Sequence, residues 1–352
     1  MPRYKHYLDV DVVTAAKRRL HHVFDIFDSV AVSFSGGKDS LCVLELAREV
    51  AAERGLDQID AFFYDEEVIP PSVIETVEHY RAQPWCRLRY FAYPLKSAKF
   101  ILGRTINYTQ WDPAREHIRP LPAHAITPPP GEVVPDGFDQ YQMNAVMARQ
   151  LPGRCAFVTG IRAAESLIRL RSVVNKVHEN YITQPRAYDR RVCLAKPIYD
   201  WQENDVLKFI DERGLVYADC YNQQHRVGVG LRVATALIPE NAKRFDRYRE
   251  MDPAFFERVI AVFPEMLVQD RYWKDFDGAA VAKLYGADFA GVERYIRERI
   301  DDPGQQALAL KRLKNIKGRS VARPNAYPPA HVIKYFVSGA YKRTELLPMM
   351  KD

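Results

Sequence analysis

A glycine-rich hexapeptide constrains this fold more than any other feature of the chain. Ser35-Gly36-Gly37-Lys38-Asp39-Ser40 follows a short apolar run, Val30 to Phe34, that includes Ser33. It opens a helical pattern from Asp39 to Arg54, in which Leu41, Leu44, Glu45 and Arg48 share spacing and Gly55 marks the end. Strand, tight turn and helix in that order gather backbone N–H groups at a helix N-terminus, where anions bind. Two glycines let the backbone approach an anion without a Cβ clash. Lys38 adds a full charge, and the hydroxyls of Ser35 and Ser40 are further donors. The loop is not a Walker A sequence, because Val32 stands where that pattern needs its first glycine, and it is not G-x-G-x-x-G.

The flanking sequence repeats the alternation. Asp9 to Phe27 reads as a helix, with Val12, Val13, Ala16, Leu20, Val23, Phe24 and Phe27 at helical spacing and Asp9 or Asp11 as cap. Ile59 to Tyr64, Leu88 to Tyr93, Cys155 to Thr159 and Val192 to Ile198 read as further strands. Pro71 to Arg81, Asp139 to Gln150, Ala163 to Val174 and Trp201 to Arg213 read as helices. The pattern predicts an α/β protein with a parallel sheet covered by helices on both faces. Ligands of such sheets sit beyond the carboxyl ends of the strands, where the hexapeptide falls.

Lys96 to Phe138 breaks the pattern with seven of the 23 prolines and reads as an irregular lid or insertion. Trp111, Arg115, His117, Arg119 and His124 are its candidates for facing a ligand, with a surface excursion as the alternative. From about Pro239 the alternation stops, and Glu240 to Tyr272 and Phe276 to Ile300 read as helical. The expected division is an α/β domain carrying the glycine-rich loop over 1–237, with the insertion at about 96–138, and a helical, basic region over 238–352.

The hexapeptide after a strand resembles the PP-loop superfamily of adenine nucleotide α-hydrolase-like enzymes. Three further segments narrow the resemblance to the phosphoadenosine phosphosulfate (PAPS) reductase family. They are Ala61-Phe62-Phe63-Tyr64-Asp65-Glu66-Glu67, Thr159-Gly160-Ile161-Arg162-Ala163-Ala164-Glu165-Ser166 with Arg169, and Lys196-Pro197-Ile198-Tyr199-Asp200-Trp201 with Asp205 and Val206. The resemblance implies nucleotide contacts from Ser33 through Ser40, Tyr64, Asp65, Gly160, Ile161, Arg162 and Lys196. It implies catalytic roles for Lys38, Arg162 and Arg169, whose cationic groups suit phosphate or sulfate oxygens. Arg162 and Arg169 are expected on one helical face, with Arg171 beside them. Glu165 is expected to orient an arginine through an ion pair. Asp39 and Asp65 are the expected Mg²⁺ ligands, with Glu66 and Glu67 as further candidates.

The cysteines decide which chemistry the resemblance carries. The family's E-C-G-x-H motif is absent, and the five cysteines, Cys42, Cys86, Cys155, Cys193 and Cys220, include no CxxC pair. No iron–sulfur cluster is therefore expected, and Cys220, near His225 and Arg226, is the sole candidate thiol for reduction. The expected activity is ATP cleavage between the α and β phosphates to adenylate an acceptor. PAPS in place of ATP, a thiol-dependent sulfonucleotide reductase and a nucleotide-sensing regulator are the alternatives. These departures resemble a divergent branch found in phages and mobile elements.

The formal charge is +6. Lys311, Arg312, Lys314, Lys317, Arg319 and Arg323 form a run without an acid, followed by Lys334, Tyr335, Phe336, Tyr341, Lys342 and Arg343. Basic residues with interleaved aromatics suit a nucleic-acid or protein partner, and a solvated basic face is the alternative. With no signal peptide and no apolar run long enough to cross a bilayer, a cytoplasmic protein without a membrane partner is expected, with oligomers possible.

Overall fold

In the computed structural model, residues 8–135, 137–174, 179–184, 189–273, 278–342 and 344–349 are described. The N-terminal part contains α1 (Val12–Ile26), β1 (Ser29–Ser33), α2 (Lys38–Glu53), β2 (Ile59–Tyr64), α3 (Pro71–Arg81) and β3 (Cys86–Phe91). A hairpin follows, β4 (Lys96–Ile101) and β5 (Arg104–Thr109), then α4 (Gln140–Ala148), β6 (Cys155–Val158), α5 (Leu167–Arg171), β7 (Ile182–Thr183), β8 (Val192–Ala195), α6 (Glu203–Glu212) and α7 (Cys220–Arg226). The remaining helices are α8 (Pro239–Ala242), α9 (Tyr248–Met251), α10 (Pro253–Val262), α11 (Glu265–Tyr272), α12 (Gly278–Tyr285), α13 (Phe289–Arg299), α14 (Pro303–Ala322) and α15 (Pro329–Val337).

The sheet order is β3-β2-β1-β6-β8-β7, parallel throughout except for β7, which runs antiparallel at one edge. The α/β architecture expected from the alternation is present. Neighbouring strand residues point to opposite faces. Val32, Phe63, Ala156 and Val158 join a core with Leu20, Leu41, Val73, Phe209 and Trp201. Ala31, Phe62 and Phe157 join the opposite core with Met143 and Met147 of α4. Strand order reverses between β1 and β6, which makes their carboxyl ends the switch point where sheets of this kind bind ligands.

Two expectations are corrected. Lys96 to Phe138 is not wholly irregular, because its first third folds as the β4–β5 hairpin, whose Leu102 and Gly103 take positive φ at the turn. Ala163 to Val174 is not one helix: a 3₁₀ turn at Ala163–Glu165 is broken at Ser166, which is extended (φ −166°) and caps α5. Glu240 to Tyr272 is helical as expected, in a series of short helices. Phe276, where the next expected helix begins, lies outside the described residues.

The chain divides into two compact units. The first comprises residues 1–97, 108–236 and 249–258; the second comprises 98–107, 237–248 and 259–352. The second unit has its own apolar core, built from α12 to α15 around Val292, Ile296, Leu313, Ile316, Val332 and Phe336.

Candidate functional site

The hexapeptide closes on itself at the carboxyl end of β1. Gly36 has φ +71°, and a Cβ there would lie 2.7 Å from Val73 Cγ1. Ser40 Oγ accepts from the Ser35 amide at 3.1 Å, donates to the Gly37 carbonyl at 2.9 Å, and lies 3.0 Å from Ser35 Oγ. Gly160, leaving β6, faces the first turn of α2: a Cβ there would lie 2.6 Å from both Asp39 C and Ser40 N. The two glycine-bearing loops therefore meet at the switch point, with bare backbone on both sides. Gly160 serves loop-to-helix packing in this arrangement.

Charge concentrates at the same place. Lys38 and Arg162 are both 4% exposed. The Lys38 ammonium donates to Asp39 Oδ2 at 3.0 Å and to the Leu231 carbonyl at 3.3 Å, and lies 3.5 Å from Glu203 Oε1. Arg162 Nε donates to Asp39 Oδ1. Arg162 and Arg169 do not share a helical face, yet Glu165 joins them: its carboxylate pairs with Arg169 and lies 3.8 Å from Arg162 Nη2. Glu165 thus forms the expected ion pair. Burial, then the neighbouring Arg232 and Arg162 cations, pull the Arg169 pKa down against the attraction of Asp39. Arg171 is exposed on α5, with no carboxylate partner among the described residues.

Several residues here carried no local sequence signal. Tyr221 Oη accepts from the Lys38 amide at 2.8 Å. Gln224 accepts from the Arg232 amide at 2.9 Å and donates to its carbonyl at 2.7 Å, fixing the irregular stretch that supplies Leu231 and Arg232. Glu203 lies on α6. All come from far along the chain, and only the fold brings them to the loop.

The end of β2 is built differently. Asp65 is fully buried: it accepts from Tyr90 Oη at 2.6 Å and from the Glu67 amide at 2.9 Å, and it pairs with Arg119. Glu67, also fully buried at φ 63°, accepts from the Trp111 amide at 2.7 Å and pairs with Arg115. Trp111 Nε1 donates to the Asp65 carbonyl at 3.0 Å. Trp111, Arg115 and Arg119 therefore clamp the proline-rich segment onto the acids after β2 and do not form a ligand-facing row. His117 contacts the Asp112 carbonyl and His124 pairs with Glu78. Glu66 accepts from the Thr235 amide at 2.9 Å, and burial raises its pKa.

The other expected site residues are spread around this centre. Ser33 ends β1 and Phe34 follows it, buried edge-on against Tyr80. Tyr64 Oη donates to Asn144 at 3.1 Å, and burial pushes its pKa up. Ile161 is half-buried beside Arg162. Lys196 is 3% exposed and donates to Thr183 Oγ1 at 3.0 Å and to Ser172 at 3.3 Å, supporting the segment after α5.

The expected Mg²⁺ ligands do not fit a metal as arranged. Both Asp65 oxygens are engaged by Tyr90, Arg119 and the Glu67 amide, and both Asp39 oxygens by Lys38 and Arg162. Among the described residues no group of three His, Cys, Asp or Glu side chains is placed to hold a metal ion. All five cysteines are buried, and burial pushes the Cys220 thiol up to about 12. No helix among the described residues is long and apolar enough to cross a membrane.

A Ser-Gly-Gly-x-Asp-Ser loop at the switch point of a parallel sheet marks an α/β protein of the PP-loop kind. The model of the phosphoadenosine phosphosulfate reductase domain matches residues 29–235, more than half of the chain, and the chain belongs to that family. It is 26% identical over 270 residues to the uncharacterized protein YbdN of Escherichia coli, a match that covers 72% of this chain and 65% of that protein's length. Among solved structures it resembles a PAPS reductase from Candida auris in a phosphate complex, at 12% identity and TM-score 0.39, covering 64% of this chain and 90% of that one. It also resembles an FMN adenylyltransferase from Candida glabrata with FAD and pyrophosphate, at 12% identity and TM-score 0.41, covering 62% and 64%.

Proposed function

We propose that the chain binds ATP at the glycine loop and cleaves it between the α and β phosphates, transferring the adenylyl group to an oxygen acceptor. The observation that carries this reading is the cation cluster around the loop. Lys38, Arg162, Arg169 and Arg232 outnumber Asp39, Glu165 and Glu203, and the N-terminus of α2 adds partial positive charge. A polyphosphate bound at the loop competes with Asp39 for Lys38 and Arg162. Arg169 and its neighbour Arg232 add further positive charge.

In the reaction, an acceptor oxygen bonds to the α-phosphorus while the bond to the bridging oxygen breaks. The electron pair leaves with pyrophosphate, and the acceptor's proton passes to solvent. Buried cations near the bridging and terminal oxygens stabilise the charge that develops there. No step is assigned to Mg²⁺, because Asp39 and Asp65 are already engaged. Nucleotide chemistry is assigned to residues 1–237.

Thiol-dependent reduction is disfavoured, because a nucleophilic cysteine has to be accessible and readily ionised. Cys220 is 3% exposed and its thiol is pushed up to about 12 by burial. Product analysis of the purified chain with ATP and with PAPS separates the two reactions. Pyrophosphate from ATP, with AMP as the second product where water takes the acceptor's place, unchanged in Cys220→Ser, supports adenylyl transfer. Sulfite from PAPS, lost in Cys220→Ser, would replace it with reduction.

A further inference from the structure

The second unit carries 21 lysines and arginines against 13 aspartates and glutamates, whereas the first carries 30 against 32. The whole positive excess of the chain therefore resides in the second unit. Within it, α14 buries Ala309, Leu313, Ile316 and Ser320 on one side. Its other side exposes Lys311, Lys314, Asn315, Gly318, Val321 and Ala322. The nearby acids are already used: Glu345 pairs with Arg312 and Arg319, and Glu293 with Lys317 and Arg297. Lys311, Lys314, Arg323 and Lys334 are exposed and form no ion pair among the described residues.

The aromatics of this region correct one expectation. Tyr335, Phe336 and Tyr341 are 5%, 2% and 2% exposed and belong to the core, so they provide no platform for stacking bases. Arg343 lies outside the described residues. What remains on the surface is unpaired charge interleaved with Asn315, Gly318, Ala322 and the exposed Val321, and a Cβ at Gly318 would meet nothing within 4 Å. Lys311 to Arg323 spans about 18 Å of helix, and side chains this small between cations allow close approach to a rigid, regularly charged rod. Charge without stacking suits the phosphate backbone of a duplex better than a single strand.

We propose that the exposed face of α14 is a docking surface for duplex nucleic acid, held through its phosphates without regard to sequence. The test is fluorescence anisotropy of the full chain with a labelled duplex of about 30 base pairs, from about 50 to 200 mM salt. Three or four neutralised phosphates give a log–log salt slope of about −3. A second duplex of unrelated sequence binds equally well. The double variant Lys311→Glu, Lys314→Glu loses at least about tenfold in affinity and flattens the slope by about 2. Both positions are exposed, so its melting temperature stays unchanged, and so does its ATP affinity, which separates this inference from the nucleotide reading. Unchanged affinity in the variant, or tighter binding of the separated single strand, would overturn the proposal. Binding to heparin with none to the duplex would also overturn it, pointing to an acidic protein or polysaccharide.

Discussion

The two regions rich in cations use them in opposite ways. Around the glycine loop, Lys38 and Arg162 are buried and held by Asp39, Glu203 and Glu165. Along α14, Lys311 and Lys314 are exposed and unpaired among the described residues. A buried charge is costly unless its partners are fixed, so it defines a geometry suited to a small ligand of fixed shape. An exposed charge costs little and is screened by salt, so it suits an extended polyanion. Substitutions in the first region are therefore expected to disturb fold and affinity together, and those in the second affinity alone.

The largest expected effect comes from filling the bare backbone contact at the switch point. Gly160→Val places side-chain carbons where a Cβ alone lies 2.6 Å from Asp39 C and Ser40 N. A loss of about 3 kcal/mol is expected by chemical denaturation, with no measurable ATP binding. Near-native stability would break the contrast at its strongest point.

Next is Arg162→Ala, which leaves Asp39 short of one partner in a mostly buried setting. About 3 kcal/mol of stability is expected to go, with at least a tenfold rise in the Kd for ATP by calorimetry. The corresponding change on α14, Lys314→Ala, is expected to shift the melting temperature by less than about 1 °C, since exposed unpaired charges contribute little.

The smallest effect concerns pH. Burial raises the Glu66 pKa in the folded chain, so the folded state holds that proton more tightly than the unfolded one. Stability from this group is present at acid pH, below its unfolded value, and is lost as pH rises through the raised folded value. Glu66→Gln keeps an oxygen for the Thr235 amide and removes the charge. A melting-temperature gain is expected at pH 8, shrinking toward pH 4.5. A gain of equal size at both pH values would show that ionisation is not its origin.

Much of the fold was legible because it rests on local pattern. Pro71 to Arg81 was bounded as observed, since a proline is tolerated at a helix start and the apolar period is clear. The sheet strands other than β7 were bounded within a few residues. The β4–β5 hairpin was missed because its strands, with Lys96, Lys99, Arg104 and Asn107, lack strict alternation and lie beside a proline-rich stretch. The one-face expectation for Arg162 and Arg169 failed because Ser166 turns extended and caps a new helix.

The candidate site was legible only where a motif carries it. Ser35 to Ser40, Gly160 and Arg162 meet at one place, as the strand ends require. Tyr221, Glu203 and Arg232 were not foreseen, because no spacing ties them to the loop. The proline-rich arginines were expected to face a ligand, but Asp65 and Glu67, buried after β2, need cations, and Arg119 and Arg115 are the ones in reach.

The most direct measurement is calorimetric titration of the purified chain with ATP, beside Lys38→Ala and Arg162→Ala. Saturable ATP binding that both substitutions weaken at least about tenfold, as loss of a buried charged contact requires, is the expected result. No ATP binding, or binding that neither substitution changes, would contradict the assignment of the glycine loop as the nucleotide site.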